Sequence, residues 1–179
     1  MSLKILKYPN QILRQKAKNI KIEDIKNQET QNLIKKMIKT LEKTKGIGLA
    51  APQIGKSIQL ILVRVYNDTS THINAYDDIF QNSYDNLNNK ILILINPKIT
   101  NKSWKKEIKQ EGCLSIPRFF GLVKRSKKIT LKALNKNGEK MKFKAENLFA
   151  RIIQHEVDHL DGMLFIDKMI QKQSKNTKS

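Results

Sequence analysis

Two of the three histidines in this 179-residue chain lie four positions apart, in the stretch QHEVDHLDG. At 3.6 residues per turn, this spacing puts His155 and His159 one above the other on one face of a helix, where two imidazoles can bind one metal ion. Glu156 then lies about 100° further round the axis, within reach of a metal-bound water without being a ligand. Because HExxH also arises by chance on amphipathic helices, the pattern needs a third ligand to become specific.

The residues around this stretch favour a helix. Apolar residues and the two histidines recur every three or four positions, at Leu148, Ile152, His155, His159 and Leu160. Gly162 stands where a glycine commonly ends a helix. We therefore expect HExxH to lie on a helix near the end of the chain.

The third ligand has to come from upstream of this helix. Catalytic zinc-type sites use three protein ligands and leave one position open for water. The extended HExxHxxGxxH design requires a histidine where this chain has Phe165, and the only acids after the second histidine are Asp161 and Asp167. The one cysteine, Cys113, lies in the phrase QEGCLSIP, and a thiolate suits zinc, iron, cobalt or nickel. We expect Cys113 to be the third ligand; the alternative is an inert buried cysteine.

The apolar pattern predicts a single α+β domain covering residues 1–179. An amphipathic helix is predicted from Glu29 to Lys45, closed near Gly46. Strands are predicted in three later segments: SIQLILVRVY, KILILINPKI and the hairpin ITLKALNKNGEKMKFKAE, with Asn137 and Gly138 at its turn. The order of helix, strands and helix favours mainly antiparallel β-sheets packed around a central helix that carries HExxH.

Two segments are predicted to lie outside this core. Residues 66–90 are rich in asparagine and lack apolar periodicity, which predicts an inserted mobile loop. The third histidine, His72, falls in this segment, and we expect it to be solvated. Residues 171–179 are polar and basic, typical of a disordered tail.

The chain is strongly basic, with 35 lysines and arginines against 16 acidic residues and a formal net charge of +19. This balance favours contact with polyanions such as RNA, although a coding bias towards lysine, isoleucine and asparagine produces it too. The few aromatic residues are not interleaved with basic ones, so no sequence-specific nucleic-acid partner is expected. No apolar run approaches the length of a membrane span, and one cysteine cannot form an internal disulfide. We expect a cytoplasmic protein with no membrane partner.

Three phrases in order resemble the signature motifs of bacterial peptide deformylases: GIGLAAPQ (46–53), EGCLS (111–115) and QHEVDH (154–159). The opening ILKYPNQILRQKA is similar as well, so the likeness runs from about Leu3 to Asp167. The resemblance implies a hydrolase that removes the formyl group from the N-terminal formyl-methionine of newly synthesised proteins and releases formate. It also implies one divalent metal ion held by Cys113, His155 and His159, with iron(II) expected and zinc, nickel or cobalt as substitutes.

The resemblance also implies roles for the other motif residues. Glu156 carries a proton from the attacking water to the departing nitrogen, while the Gln53 side-chain amide and the Leu114 backbone N–H bind the oxyanion. Four residues match positions that line the substrate cleft: Ile47, Gly48, Glu111 and Gly112. The implied partners are nascent formyl-methionyl peptides and, because of where these appear, the ribosome, which we expect to be bound weakly through basic charge.

The chain departs from this pattern shortly after the second motif. Many relatives carry an arginine where this chain has Phe119 and Phe120, with Arg118 and Arg125 nearby, so the sequence leaves open which arginine contacts the peptide. Two other functions stay open as well. One is an HExxH peptidase, although its downstream ligand is missing; the other is a catalytically inactive basic protein bound to the ribosome.

Overall fold

The computed structural model describes residues 2–65 and 91–170, so the predicted loop with His72 and the predicted tail lie outside the described residues. The helices here are α1 (Ile22–Ile25), α2 (Gln28–Thr44) and α3 (Asn147–Leu160), with short 3-10 turns at Gln11–Arg14, Ala51–Ile54 and Phe165–Lys168. The strands are β1 (Gly48–Ala50), β2 (Leu60–Arg64), β3 (Ile91–Lys102), β4 (Lys106–Cys113), β5 (Ile116–Ser126), β6 (Lys128–Leu134) and β7 (Lys140–Glu146). The α+β class is confirmed.

The strands form two antiparallel sheets, as predicted. One sheet has the order β1-β2-β3-β6-β7, and the second contains only β4 and β5. β2 and the first half of β3 are continuous apolar runs rather than alternating ones, and their side chains are buried on both faces. A helix therefore has to cover each side of the larger sheet.

The helices α2 and α3 cover opposite faces of this sheet. Ile61 and Leu92 pack with α3 residues such as Ile153, whereas their sequence neighbours pack with α2. Each fully buried side chain of this size contributes about 1.5 to 3 kcal/mol. The apolar layer between the sheet and α3 thus fixes the helix that carries HExxH.

The ends of α2 lie one residue before the predicted ones. The Asn27 side chain accepts a hydrogen bond from the Thr30 backbone N–H and caps the first turn. Lys45, with φ of 52°, takes the left-handed position that ends the helix, directly before Gly46, near which the end was predicted. Gly46 serves close packing instead, because a Cβ there would lie 2.9 Å from the end of the Leu114 side chain.

The predicted glycine turns are both present. Gly162 follows α3 with φ of +72°, and a Cβ at this position would lie 2.5 Å from the Arg14 carbonyl oxygen. Asn137 and Gly138 lie in the turn between β6 and β7, where Gly138 has φ of +80°. This turn is a five-residue loop rather than a two-residue one, and the Asn135 side chain holds it by accepting hydrogen bonds from two backbone N–H groups.

Candidate active site

The three predicted metal ligands converge, although they come from distant parts of the chain. His155 and His159 lie on adjacent turns of α3, and Cys113 is the last residue of β4. Their donor atoms all lie within 4.8 Å of one another, and Cys113 Sγ is 3.2 Å from His159 Nε2. Two ligands of one tetrahedral ion lie about 3.6 Å apart, given ordinary Zn–S and Zn–N bond lengths. The donor set therefore fits a single metal ion.

A break in strand pairing directs Cys113 towards α3. β4 and β5 pair regularly as far as Gly112 and Phe120, after which the register shifts so that Cys113 lies opposite Ile116. The Ser115 backbone N–H and the Gln53 side-chain amide each donate to Cys113 Sγ at 3.4 Å. Both hydrogen bonds hold the Cys113 side chain in place beside the two histidines.

Glu111 holds His155 in the orientation that a metal requires. Its Oε2 lies 3.0 Å from His155 Nδ1, which leaves Nε2 directed towards the site. Burial alone would raise the pKa of Glu111, but hydrogen bonds from His155 and Arg125 outweigh it and hold the pKa well below its usual range. Glu111 lines the cleft as expected, yet its carboxylate is engaged by protein groups on both oxygens.

Two buried arginines complete this network. The sequence offered Arg125 only as a candidate peptide contact and gave no sign of Arg151. Arg151 donates to Glu111 at 2.7 Å, and Arg125 bridges Glu111 and Asp158. At the other end of the network, Lys168 contacts Asp158 at 2.5 Å. Arg125 is thus committed to the interior, whereas the exposed Arg118 lines the cleft.

Replacing Arg125 with methionine should destabilise the protein strongly. The change leaves the buried carboxylates of Glu111 and Asp158 without their shared cation, which typically costs about 3 kcal/mol or more. Urea unfolding of the parent and the variant measures the difference. The matched control is Arg118→Met, which should change the free energy of unfolding by less than about 0.5 kcal/mol because Arg118 is exposed. Equal effects of the two changes would contradict the network.

Glu156 lies buried directly over Gly48. The side chain is 4% exposed, and its Oε2 has no hydrogen-bond partner among the described residues. Burial raises the pKa of Glu156 to about 7. A Cβ at Gly48 would lie 2.2 Å from Glu156 Oε1, so only glycine leaves room for the carboxylate in this position.

Gly48→Ala should therefore move the carboxylate and lower turnover without removing the ligands. A displacement of about 1 Å at a reacting group can cost roughly a hundredfold in rate. Release of formate, the product that the sequence resemblance implies, measures turnover, and elemental analysis measures the metal. Gly121→Ala is the control, because the atoms nearest to its Cβ would be those of the Met169 side chain, from Cγ to Cε. Turnover equal in the two variants would argue against a constraint at Gly48.

Gln53 and Leu114 lie on either side of Cys113. The buried Gln53 accepts a hydrogen bond from the Ala50 backbone N–H through Oε1, which turns its NH₂ group towards Cys113 and the Ser115 hydroxyl. The N-terminal segment holds both residues in place: Leu6 N donates to the Gln53 carbonyl, and Lys7 Nζ donates to the Leu114 carbonyl. The sequence showed this segment only as part of the resemblance.

A cleft of about 490 Å³ opens beside these groups. All four predicted cleft residues, Ile47, Gly48, Glu111 and Gly112, line it together with Phe119 and Phe120. Ile47 is 43% exposed, which favours a place in the cleft wall over one in the core. Phe165, at the position where an extended motif would have histidine, stacks on the His155 ring with centroids 6.2 Å apart.

This fold and this site define the class of protein. A thiolate and two imidazoles that fit one metal ion, beside a buried carboxylate and an oriented amide, are the parts of a metallohydrolase. Burial lowers the pKa of His159 well below its ordinary value and keeps the ring neutral, the form that binds a metal.

Comparison with known proteins gives the family. The profile of the polypeptide deformylase family matches residues 2–175. The chain is 41% identical over 167 residues to a peptide deformylase of Thermodesulfovibrio yellowstonii, covering 93% of this chain and 88% of the relative. For a peptide deformylase of Wigglesworthia glossinidia brevipalpis the identity is 43% over 165 residues, with 92% and 93% covered. The crystal structure of the Thermotoga maritima peptide deformylase superimposes with a TM-score of 0.78 at 31% identity, covering 96% and 99%.

The chain therefore belongs to the polypeptide deformylase family, metal-dependent hydrolases that remove the N-formyl group from nascent proteins. Within residues 2–65 and 91–170, no helix is long and apolar enough to cross a bilayer.

Proposed function

We propose that this chain is a single catalytic domain that hydrolyses the formamide of N-terminal formyl-methionine, with α3 as the central helix of the site. The observation that carries this proposal is the meeting of Cys113, His155 and His159 beside Glu156, whose Oε2 has no hydrogen-bond partner in the described part of the chain. An unpaired buried carboxylate oxygen is costly, so its retention next to three metal donors points to a chemical role.

Cys113, His155 and His159 are the proposed ligands of one divalent ion. Their mixture of thiolate and imidazole donors suits iron(II), which we propose as the physiological metal, and also zinc, nickel or cobalt. When bound, such an ion supplies a nucleophile from water at neutral pH and polarises the formyl oxygen. Glu111 is the proposed orienting partner of His155, through its 3.0 Å contact with Nδ1.

Glu156 is the proposed proton carrier. It accepts a proton from the attacking water as the new C–O bond forms at the formyl carbon. It returns that proton to the amine nitrogen as the C–N bond breaks, so the products are formate and a free N-terminus. A pKa near 7 matches both tasks at neutral pH.

Gln53 and Leu114 are the proposed donors to the oxyanion. The Gln53 NH₂ group already points towards Cys113, and Leu114 follows Cys113 directly in the cleft wall. Loss of one such donor in other hydrolases raises the barrier by about 3 to 4 kcal/mol. The remaining proposed contacts lie along the walls: Gly48 and Gly112 line the cleft, while Ile47 packs on the methionine side chain.

A single assay tests this function. The purified protein is incubated with formyl-Met-Ala-Ser, and formate and peptide products are measured. We expect formate and intact Met-Ala-Ser in equal amounts. Internal cleavage products would indicate an HExxH peptidase instead, and no product in a metal-loaded sample would indicate a catalytically inactive protein.

The proposed iron(II) predicts sensitivity to air. Protein purified in air should turn over formyl-Met-Ala-Ser more slowly than the same protein reconstituted with nickel or cobalt, because iron(II) is lost or oxidised. Metal content is measured in each sample, so activity is compared per bound ion. Equal activity of the air-purified and reconstituted samples at equal metal content would argue against labile iron(II) as the physiological metal.

The proposed setting is the cytoplasm, next to ribosomes. Formyl-methionine is exposed on emerging chains, and a net charge of +19 attracts ribosomal RNA. We propose that this association is weak and strongly salt-dependent, as counterion release requires.

A further inference from the structure

The one tryptophan of the chain lies on the surface, outside the hydrophobic core. Trp104 is 92% exposed, in the turn between β3 and β4. Tryptophan is usually largely buried, and its indole ring is among the groups that contribute most to binding a partner. Trp104 therefore offers a flat apolar surface that the fold itself leaves uncovered.

Two turns meet at the segment that contains Trp104. The Ser103 backbone N–H donates to the Lys128 carbonyl at 2.8 Å, and the Lys127 N–H donates to the Lys105 carbonyl at 2.9 Å. These bonds bring the β5–β6 turn against the β3–β4 turn. The segment that contains Trp104 thus gains lysines from both turns.

Four of these lysines lack an ion-pair partner among the described residues: Lys102, Lys105, Lys106 and Lys127. By contrast, two neighbours are paired, Lys128 with Glu146 at 2.9 Å and Lys109 with Glu107 at 3.2 Å. We define the Trp104 patch as Trp104 together with these four lysines. It combines one aromatic ring with about four positive charges that no carboxylate of the described chain neutralises.

We propose that the Trp104 patch binds single-stranded RNA, with one base stacked on the indole and phosphates on the lysines. Every base has a face that stacks on an aromatic ring, and lysines contact the backbone without regard to sequence. Unpaired bases are needed, because a duplex keeps its bases stacked on one another. An anionic membrane fits less well, because a segment that enters a bilayer presents a broad apolar face, whereas Trp104 is the only apolar residue of its turn, Ser103 to Lys105.

The patch lies away from the catalytic cleft. β4 runs from Lys106, a member of the patch, to Cys113 in the site, which at about 3.4 Å per residue separates them by roughly 24 Å. RNA bound at the patch would leave the cleft open to a peptide. The proposal concerns binding alone and does not depend on the proposed function.

Trp104 reports on its own contacts, because no other tryptophan contributes to the fluorescence of this chain. The probes are an oligoadenylate and heparin, a polyanion without bases, titrated into the intact protein at low salt. We expect the oligoadenylate to quench the fluorescence through stacking and heparin to bind with little quenching. Absence of quenching at saturating oligoadenylate would overturn the proposal. So would preferential binding of anionic vesicles with a blue shift.

Variants separate this patch from general charge, with labelled oligoadenylate followed by anisotropy. Trp104→Ala should weaken binding at least about fivefold, and Trp104→Phe should retain most of it. Lys→Gln at all four patch lysines should lower the slope of log K against log salt by up to about 3, since each contact to a single strand contributes about 0.7. The control removes the same charge from α2: Lys35, Lys36, Lys39 and Lys43 to Gln.

The proposal fails if the α2 control weakens binding as much as the patch variant, because charge would then act from anywhere on the surface. It also fails if Trp104→Ala binds oligoadenylate like the parent. Turnover of formyl-Met-Ala-Ser should be unchanged in every patch variant. An inactive parent protein would count against the proposed function without affecting either binding result.

Discussion

Glu156→Gln should retain the metal and lose about a thousandfold or more in kcat. Glutamine keeps the size of the side chain over Gly48 but cannot accept the proton of the attacking water. General acid–base groups typically contribute about a hundred- to ten-thousandfold, and Glu156 is proposed to act in both directions. Formate release gives kcat, and elemental analysis gives the metal content.

Stability separates this loss from damage to the fold. Glu156 is 4% exposed, and its Oε2 has no partner within residues 2–65 and 91–170, so a neutral amide removes the cost of burying a charge. We therefore expect the thermal midpoint of Glu156→Gln to stay level or rise, as often happens when a functional group is replaced. Glu23→Gln, a change at an exposed carboxylate, is the control and should leave both properties unaltered. Turnover of Glu156→Gln within tenfold of the parent would contradict the role.

The elements that could be predicted from the sequence are those with strong local signals. α2 has a clear apolar stripe, and its observed ends differ from the predicted ones by one residue. β2 and the start of β3 are continuous apolar runs of leucine, isoleucine and valine because both of their faces are buried. Each of these signals depends on side chains within one element, which is why a single sequence contains them.

β4 was not predicted as a strand, and its composition explains why. Its sequence, KEIKQEGC, consists mostly of residues with low β-propensity. The strand is stabilised instead by its ladder with β5 and by the buried pair of Glu111 with Arg125. Both partners lie elsewhere in the chain, so the local pattern could not show the strand.

The residues of the site also fall into those that the sequence predicts and those that it does not. The two histidines were predictable from helical spacing, and Cys113 from being the only cysteine. The supporting groups were not, because they join positions that are far apart: Glu111 with Arg151, and Lys7 with Leu114. The number of residues between the members of such a pair follows no fixed pattern, and the members meet only in the folded protein.

Cys113→Ala should reduce bound metal from near one equivalent towards zero and abolish turnover while the fold survives. Two imidazoles alone do not complete the three-ligand set of a catalytic site. The change removes little buried apolar surface, because Cys113 is only partly buried at the end of β4. Elemental analysis measures the metal, and a thermal melt in chelator, with parent and variant both metal-free, measures the fold.

Cys113→Asp tests whether the donor itself matters rather than the packing at this position. Aspartate offers an oxygen ligand, and the set of two histidines and one carboxylate also binds divalent metals, so this variant should recover metal that the alanine variant loses. In the parent, Cys113 is the only thiol, so its reaction with a thiol reagent can be followed directly and should slow when metal is bound. Stoichiometric metal in Cys113→Ala would falsify the ligand assignment. If metal is lost in Cys113→Ala and recovered in Cys113→Asp, position 113 needs a side chain that can coordinate the ion.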